Sequence, residues 1–310
     1  MAIYVTVDCG TTNMRLYLVK DRCVSDVYKL PVGARNGIEA VRDTLKNGIA
    51  ELLSRNGLST RDVAHIIGSG MITSGYGLLC IEHLPLPIGL RELHENRIET
   101  QYPDIADIPW CLIPGIKCVN ERIEDCDTVR GEETEVMGLL DDGPLAGVYV
   151  LPGSCSKHLT VDADGRIVFV RGTMTGELFR ALVENTMLRG SVDFDHAVLI
   201  ERFLYLGYDC CERRGFNEAV SRTGTIHKLW NSTREECYSF LLGAVLHDEV
   251  RMLLHDAKDQ RIVMGGQTQL KNAIACLLRY GGHTNVCVLS EEKVAVSTAL
   301  GAVKVYEYGT

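Results

Sequence analysis

The chain has 310 residues, 46% of them hydrophobic, with 32 Lys plus Arg against 41 Asp plus Glu for a net charge of −9. Such a length exceeds what one core usually fills, so two domains are expected, and the acidic balance argues against a general nucleic-acid surface. The 12 cysteines are scattered without C-x-x-C pairs, which points to reduced thiols in a cytoplasm, and no apolar run approaches the roughly 20 residues of a membrane span.

Three strands are predicted first, at residues 3–7, 14–20 and 23–30. The first two are joined by Asp8-Cys9-Gly10-Thr11-Thr12-Asn13. Backbone N–H groups here and the Thr11, Thr12 and Asn13 side chains can donate to phosphate oxygens, while Asp8 can hold Mg²⁺ directly or through water. The same residues also read as ordinary turn chemistry. A helix is expected over 37–55, where Ile38, Val41, Leu45, Ile49 and Leu52 recur at helical spacing, and then a strand over 63–67 running into Gly68-Ser69-Gly70-Met71. Between 74 and 114 the pattern weakens, with prolines at 85, 87, 103 and 109 marking loops and one more strand expected at 109–113. A polar run at 120–127 enters a helix through Arg130-Gly131-Glu132-Glu133. Asp141-Asp142-Gly143-Pro144 ends it and is the expected domain boundary, giving domains 1–143 and 144–310.

The opening pattern then recurs nearly half the chain later. An apolar strand at 148–151 is followed by the turn Pro152-Gly153-Ser154-Cys155-Ser156-Lys157 and by strands at 158–162 and 167–171. A repeated hairpin at that interval implies two similar domains facing each other. Helices are expected at 177–185, 195–206, 216–221 and 235–255. A short strand at 261–264 opens onto Gly265-Gly266-Gln267-Thr268 and a helix to about residue 280, then come a strand at 286–289 and a last helix at 294–305. Ala295, Ala299, Gly301 and Ala302 allow that last helix, within 293–306, a close approach back to the first domain.

The chain has no G-x-x-x-x-G-K-[ST] loop, and Gly68-Ser69-Gly70 lacks the third glycine of the dinucleotide fingerprint. What remains is a pair of hydroxyl-bearing hairpins that could hold the β- and γ-phosphates from opposite sides. Gly265-Gly266, at a strand-to-helix junction, allows close backbone approach to a nucleotide, although alone it reads as a tight turn. Cys155 with His158 and Asp162 could form a thiol nucleophile and base, but on a strand Cys155 and His158 fall on opposite faces.

The sequence resembles the 2-dehydro-3-deoxygalactonokinases, sugar-acid kinases of the actin, sugar kinase and heat-shock ATPase superfamily. Carrying the resemblance are Asp8-Cys9-Gly10-Thr11-Thr12-Asn13-Met14-Arg15, Val129-Arg130-Gly131-Glu132-Glu133-Thr134-Glu135, Tyr149-Val150-Leu151-Pro152-Gly153-Ser154 with Lys157, and Met174-Thr175-Gly176-Glu177-Leu178. It implies an α/β fold of two ribonuclease H-like (actin-like ATPase) domains with an interdomain nucleotide cleft, and MgATP-dependent phosphorylation of the 6-hydroxyl of a 3-deoxy-2-keto sugar acid. Glu132 is then the leading base, Asp127 its rival, and helix capping the structural alternative for either acid. Arg130 is expected to neutralise charge on the γ-phosphate or the sugar carboxylate. Asp8, Gly10, Thr11, Thr12, Asn13, Gly153, Ser154, Lys157, Thr175, Gly176, Gly265 and Gly266 are the expected phosphate and nucleotide contacts. Arg15, Met71, Thr73 and Glu133 are the expected sugar-acid contacts.

Two segments depart from the family pattern. The second hairpin has Cys155 and Lys157-His158 where the family usually has a histidine after the hydroxyl and a closing Lys-Trp, and the loop Met71-Ile72-Thr73-Ser74-Gly75-Tyr76-Gly77 lacks the usual polar residue followed by Gly-Trp. Alternatives are therefore a kinase or phosphohydrolase for another acid, or an ATP-sensing module. Expected partners are the sugar acid and MgATP, with a homodimer allowed for and neither nucleic acid nor a membrane.

Overall fold

The computed structural model describes residues 2–140, 145–192, 198–266 and 268–309, with only the backbone at Thr268. Contacts group the chain into two units. One is Met1–Ala146, Leu159–Arg171 and Ser290–Thr310, and the other is Gly147–His158 and Gly172–Leu289.

In the first unit, β1 (Ile3–Cys9), β2 (Met14–Lys20) and β3 (Cys23–Leu30) are followed by α1 (Ile38–Arg55) and β4 (His65–Gly70). Alternation along β1 sends Val5, Val7 and Cys9 into a core with Leu45, Ile49 and Leu52 of α1, so Tyr4, Thr6 and Asp8 face the other side of the sheet. Next come β5 (Leu84–Pro85), α2 (Leu90–Glu95), β6 (Ile98–Tyr102), β7 (Ala106–Leu112), β8 (Ile116–Cys118), β9 (Asp127–Val129) and α3 (Glu132–Leu139). The main sheet has the order β3-β2-β1-β4-β7-β6, and β5-β8-β9 form a small separate sheet. β1, β4 and β7 run parallel, and β1–β2–β3 form an antiparallel meander.

The second sheet repeats this plan. Its strands β10 (Gly147–Leu151), β11 (Ser156–Val161), β12 (Ile167–Thr173), β13 (Ile262–Met264) and β14 (Val286–Val288) are ordered β12-β11-β10-β13-β14, with β10, β13 and β14 parallel. The helices accompanying it among the described residues are α4 (Thr175–Asn185), α5 (Glu201–Arg214), α6 (Phe216–Leu229), α7 (Arg234–Asp256) and α8 (Thr268–Tyr280). Val148, Val150, Phe240, Leu241, Val245 and Ile274 belong to one buried cluster.

The last helix, α9 (Glu291–Tyr306), groups with the first unit and crosses α3 closely. A Cβ on Gly301 would lie 1.9 Å from the Thr134 carbonyl oxygen, and one on Gly138 would lie 1.8 Å from that of Ser297. Lys304 Nζ then donates to the carbonyls of Met137, at 3.2 Å, and Leu140, at 2.5 Å, which closes the end of α3.

Several sequence expectations need correction. The segment 74–114 is not mainly loop, because β6 and β7 pair antiparallel across it. Pro109 is tolerated within β7 because β4 pairs with β7 only from Trp110 onward. The helix expected to end at 206 continues through Gly207 to Arg214, since Gly207 is a crossing contact with α7, where its Cβ would lie 1.9 Å from the Phe240 carbonyl oxygen. The helix expected to end at 221 runs on to Leu229. The boundary expected at 141–144, the helix start expected at 195 and the residue after Gly265-Gly266 lie outside the described residues.

Candidate functional site

The first hairpin is set by backbone contacts. Gly10 N–H donates to the Asn13 carbonyl at 2.9 Å, while the Gly10 and Thr11 carbonyls accept from Ala34 and Arg35 N–H at 3.0 Å each. The turn's carbonyls are therefore drawn back onto the segment following β3, and the Thr11, Thr12 and Asn13 side chains have no protein partner among the described residues. That leaves a donor-rich rim of the kind that receives phosphate. Asp8 lies directly across the strand pair from Arg15, whose NH1 is 3.1 Å from Asp8 Oδ2. Burial pushes the Asp8 carboxyl up from its ordinary value, and Arg15 pulls it back. Arg15 is thus held by Asp8 beside the turn, at an exposed strand position, and its expected role as a sugar contact is not what its ion pair serves.

The start of α3 is fitted against the end of β4. Gly131 has φ of +114°, a conformation that side-chain-bearing residues rarely adopt, and a Cβ there would sit 3.2 Å from Gly70 Cα. Gly70 in turn abuts Cys9 at the end of β1, where a Cβ would lie 2.5 Å from the Cys9 carbonyl oxygen. Three sequence motifs, the Asp8 hairpin, Gly68-Ser69-Gly70 and Arg130-Gly131-Glu132-Glu133, therefore meet at one corner of the first unit.

The carboxyls of the 127–135 segment differ in environment. Glu133 is fully buried, and both its oxygens accept from Gly131 N–H, at 2.9 and 2.8 Å, with Thr134 Oγ1 donating at 3.1 Å. Expected at the sugar, it is placed instead at the helix entry. Burial, with the neighbouring Glu132 charge, pushes its carboxyl up to about 7. Glu135 is pushed up to about 8 by burial and by the charges of Asp8 and Glu132. Glu132 is only half-buried, with Oε2 accepting from Arg130 N–H at 3.1 Å, which leaves this carboxylate the accessible one of the Glu-Glu pair. Asp127 stands on β9, also half-buried, accepting from Thr128 N–H at 2.6 Å.

Arg130 is tied to the loop that follows β4. Its NH1 donates to the Thr73 carbonyl and hydroxyl, at 2.5 and 2.7 Å, and its NH2 donates to the Ile81 carbonyl at 2.8 Å and lies 3.2 Å from His83 Nδ1. Both terminal nitrogens are committed to the 73–83 loop, so the guanidinium is a strut and not an open anion receptor. Thr73, expected at the sugar, is fully buried, donates to the Gly70 carbonyl at 3.0 Å and accepts from Arg130. Met71 packs on the core containing Val7 and Leu45.

The second hairpin is built on the same plan. Gly176, in the first turn of α4, presses on it so closely that a Cβ would be 2.1 Å from the Gly153 carbonyl oxygen, and Glu177 N–H donates to the Ser154 carbonyl at 2.8 Å. From the strand side, a Cβ on Gly266 would be 2.5 Å from the Pro152 carbonyl oxygen, and Gly265 N–H donates to the Val150 carbonyl at 2.9 Å. Gly153, Ser154, Gly176, Gly265 and Gly266 are thus brought together. Lys157 lies half-buried on β11 between buried Ser156 and His158. His158 and exposed Cys155 are not brought together as a thiol pair, because His158 turns to Glu249.

Sequence reasoning missed Glu249. It lies in α7 within the stripe Leu242, Val245, Leu246, Glu249, Val250 and Leu253, and is 3% exposed. An acid at a core position of an amphipathic helix was the available signal. Its Oε1 accepts from Ser156 Oγ at 2.5 Å and lies 2.8 Å from His158 Nε2, and its Oε2 accepts from Thr173 Oγ1 at 3.1 Å and Thr175 Oγ1 at 2.5 Å. Burial opposes the charge, but His158 and the hydroxyl donors outweigh it and hold the carboxyl below its usual range. The Thr175 hydroxyl, expected at the nucleotide, is turned to Glu249.

The donor set fits a nucleotide-borne magnesium ion. Among the described residues no group of three or more potential ligand side chains gathers, so the protein offers no closed metal cage. Mg²⁺ ordinarily takes one or two carboxylates and fills its remaining positions with phosphate oxygens and water. Burial pushes up the carboxyls of both Asp8 and Glu135, which disfavours their charged forms when no cation other than Arg15 is near.

Comparison with known proteins bears on this site. Residues 8–300 match a protein family described as 2-keto-3-deoxy-galactonokinase. A Rhizobium meliloti (strain 1021) protein named as a probable 2-dehydro-3-deoxygalactonokinase is 29% identical over 290 residues, spanning 92% of this chain and 84% of its own. A crystal structure from Sinorhizobium meliloti, provisionally given the same activity, superposes with a TM-score of 0.78 at 21% identity over 98% of this chain and 99% of that one. The activator of 2-hydroxyisocaproyl-CoA dehydratase from Clostridium difficile, solved with bound ADPNP, superposes with a TM-score of 0.56 at 13% identity over 97% of this chain and 93% of that one. The two sheets, each a three-strand meander followed by parallel strands, have the actin-like ATPase and sugar kinase fold expected from the sequence.

Proposed function

Because the chain belongs to the 2-keto-3-deoxy-galactonokinase family, we propose that it transfers the γ-phosphoryl group of ATP to the 6-hydroxyl of 2-dehydro-3-deoxy-D-galactonate with Glu132 as the base. Supporting this reading is the contact of Gly131 with Gly70, which fixes Glu132 at the end of β4 beside the first hairpin. Phosphoryl transfer asks little covalent chemistry of a protein, so positioning and charge neutralisation carry most of the rate. The acceptor O–H gives its proton to the Glu132 carboxylate, the sugar oxygen bonds to the γ-phosphorus, and the bond from that phosphorus to the bridging oxygen breaks, releasing ADP. When bound, Mg²⁺ would offset the charge of the phosphates, and Asp8 is the residue to hold it, directly or through water.

The N–H groups and side chains of Thr11, Thr12 and Asn13 serve as phosphate donors in the first hairpin. Gly153 and Ser154 serve in the second, with Lys157 a point charge at its exit. Glu133 and Arg130 do not touch substrate in this scheme; they hold Glu132 and the 73–83 loop in place. Asp127 remains the alternative base, and the Glu132→Gln and Asp127→Asn pair distinguishes the two.

The test is ADP release from ATP and Mg²⁺ with a panel of 3-deoxy-2-keto acids. Turnover that requires the acid and is fastest with 2-dehydro-3-deoxy-D-galactonate is expected. ADP release independent of the acid would make the protein a hydrolase, and nucleotide binding without turnover would make it a sensor.

A further inference from the structure

Glu249 lies 93 residues from Ser156 in the chain, yet it ties together three of the elements around the second hairpin turn, β11, β12 and α4. Ser156 and His158 stand on the first three positions of β11, where the chain leaves that turn. Thr173 ends β12, and Thr175 opens α4, the helix whose Gly176 and Glu177 rest on the carbonyls of Gly153 and Ser154. Three hydroxyls and one imidazole converge on the two oxygens of one carboxylate, which is buried and inaccessible to ligand. Thr173 Oγ1 and Thr175 Oγ1 also lie 2.8 Å apart, close enough for one hydroxyl to donate to the other when it is not donating to Glu249.

A two-oxygen acceptor is what this arrangement requires. A carboxylate can take two donors on each oxygen, whereas an amide would turn an NH₂ group toward donors that already point inward. The turn itself is short, and the placement of its N–H groups follows from where β11 and α4 are held. An error of about 1 Å in donor position is enough to weaken a phosphate contact severely.

We propose that Glu249 is a positioning residue for nucleotide binding: through Ser156, His158, Thr173 and Thr175 it sets the geometry of the Gly153-Ser154 turn that receives phosphate. The inference rests on the reading of that turn as a nucleotide site. It reassigns Thr175 from ligand contact to framework and leaves the turn's backbone as the part that meets the ligand.

The test uses the full-length protein, with Glu249→Gln and, as a milder disturbance, the double variant Ser156→Ala/Thr175→Val. Folding is checked by thermal unfolding, and two quantities are read: the Kd of ADP carrying a fluorescent ribose label, measured without sugar acid, and the separate KM values for ATP and for the acid. At least a tenfold rise in the ADP Kd and ATP KM, with the acid KM within twofold of wild type, is expected for each folded variant. If Glu249→Gln does not fold, the double variant decides. An ADP Kd within twofold of wild type in a folded variant, or equal rises in both KM values, overturns the proposal. Wild-type protein that binds labelled ADP but shows no acid-dependent turnover removes the kinase reading and leaves this one standing.

Discussion

Replacing Arg130 by methionine separates its role as a strut from that of a phosphate ligand. The substitution keeps most of the side-chain volume and removes the donors that reach the Thr73 carbonyl, the Thr73 hydroxyl and the Ile81 carbonyl. Thr73 is fully buried, so its carbonyl has no ready replacement from water. A buried acceptor left without its donor costs about 1 to 3 kcal/mol, and with solvent reaching the outer part of this half-buried site we expect a total loss of about 3 kcal/mol. Arg130→Lys should recover less than half of that, because one ammonium cannot span Thr73 and Ile81 as the guanidinium fork does. Urea unfolding measures the loss, and steady-state kinetics on the folded fraction should show a higher KM for the sugar acid with the ATP KM little changed. Unfolding free energy within about 0.5 kcal/mol of wild type, together with a raised ATP KM, would refute the strut and restore Arg130 as a phosphate ligand.

Other consequences are more compact. Glu133 has its carboxyl raised from 4.5 to about 7 in the folded protein by burial first and Glu132 second, so its contribution to stability is full below pH 4.5 and is lost as pH rises through about 7. That interval corresponds to about 3 kcal/mol, so in urea titrations the Glu133→Gln variant should gain on wild type by about that amount between pH 4.5 and 8; parallel pH profiles would contradict the burial argument. Gly301→Val places a branched side chain where even a Cβ would be 1.9 Å from the Thr134 carbonyl oxygen, so α9 must separate from α3. A loss of at least about 3 kcal/mol is expected by chemical unfolding, and a change under about 1 kcal/mol would show that the helix crossing is looser than described.

Both hairpins were readable because strand alternation and turn chemistry are local. Asp8 and Gly10, or Gly153 and Ser154, declare themselves within a dozen residues. The helix entry at Gly131-Glu132 was readable for the same reason. What each side chain does there was not. Arg130 looks like an anion receptor in isolation, and only the folding back of the 73–83 loop gives its guanidinium the acceptors that occupy it. Glu133 looks like a sugar contact in isolation, and only the fold shows it buried and turned onto Gly131 N–H. The Glu249 network was hidden by distance, since its partners lie on β11, β12 and α4 and nothing near residue 249 announces them. The strand expected at 109–113 is the second half of β7, while β6 and the start of β7 were missed because Pro103 and Pro109 break the alternation there.

The proposed base is Glu132, accessible at the corner where Asp8, Gly70 and Gly131 meet. Its most direct test is single-turnover phosphorylation of 2-dehydro-3-deoxy-D-galactonate by Glu132→Gln, alongside equilibrium binding of labelled ADP and of the acid. A general base contributes roughly 10²- to 10⁴-fold, so the account predicts a rate loss of that size with both affinities within about threefold of wild type. A near-normal rate in Glu132→Gln with a collapse in Asp127→Asn would contradict it and move the base to Asp127.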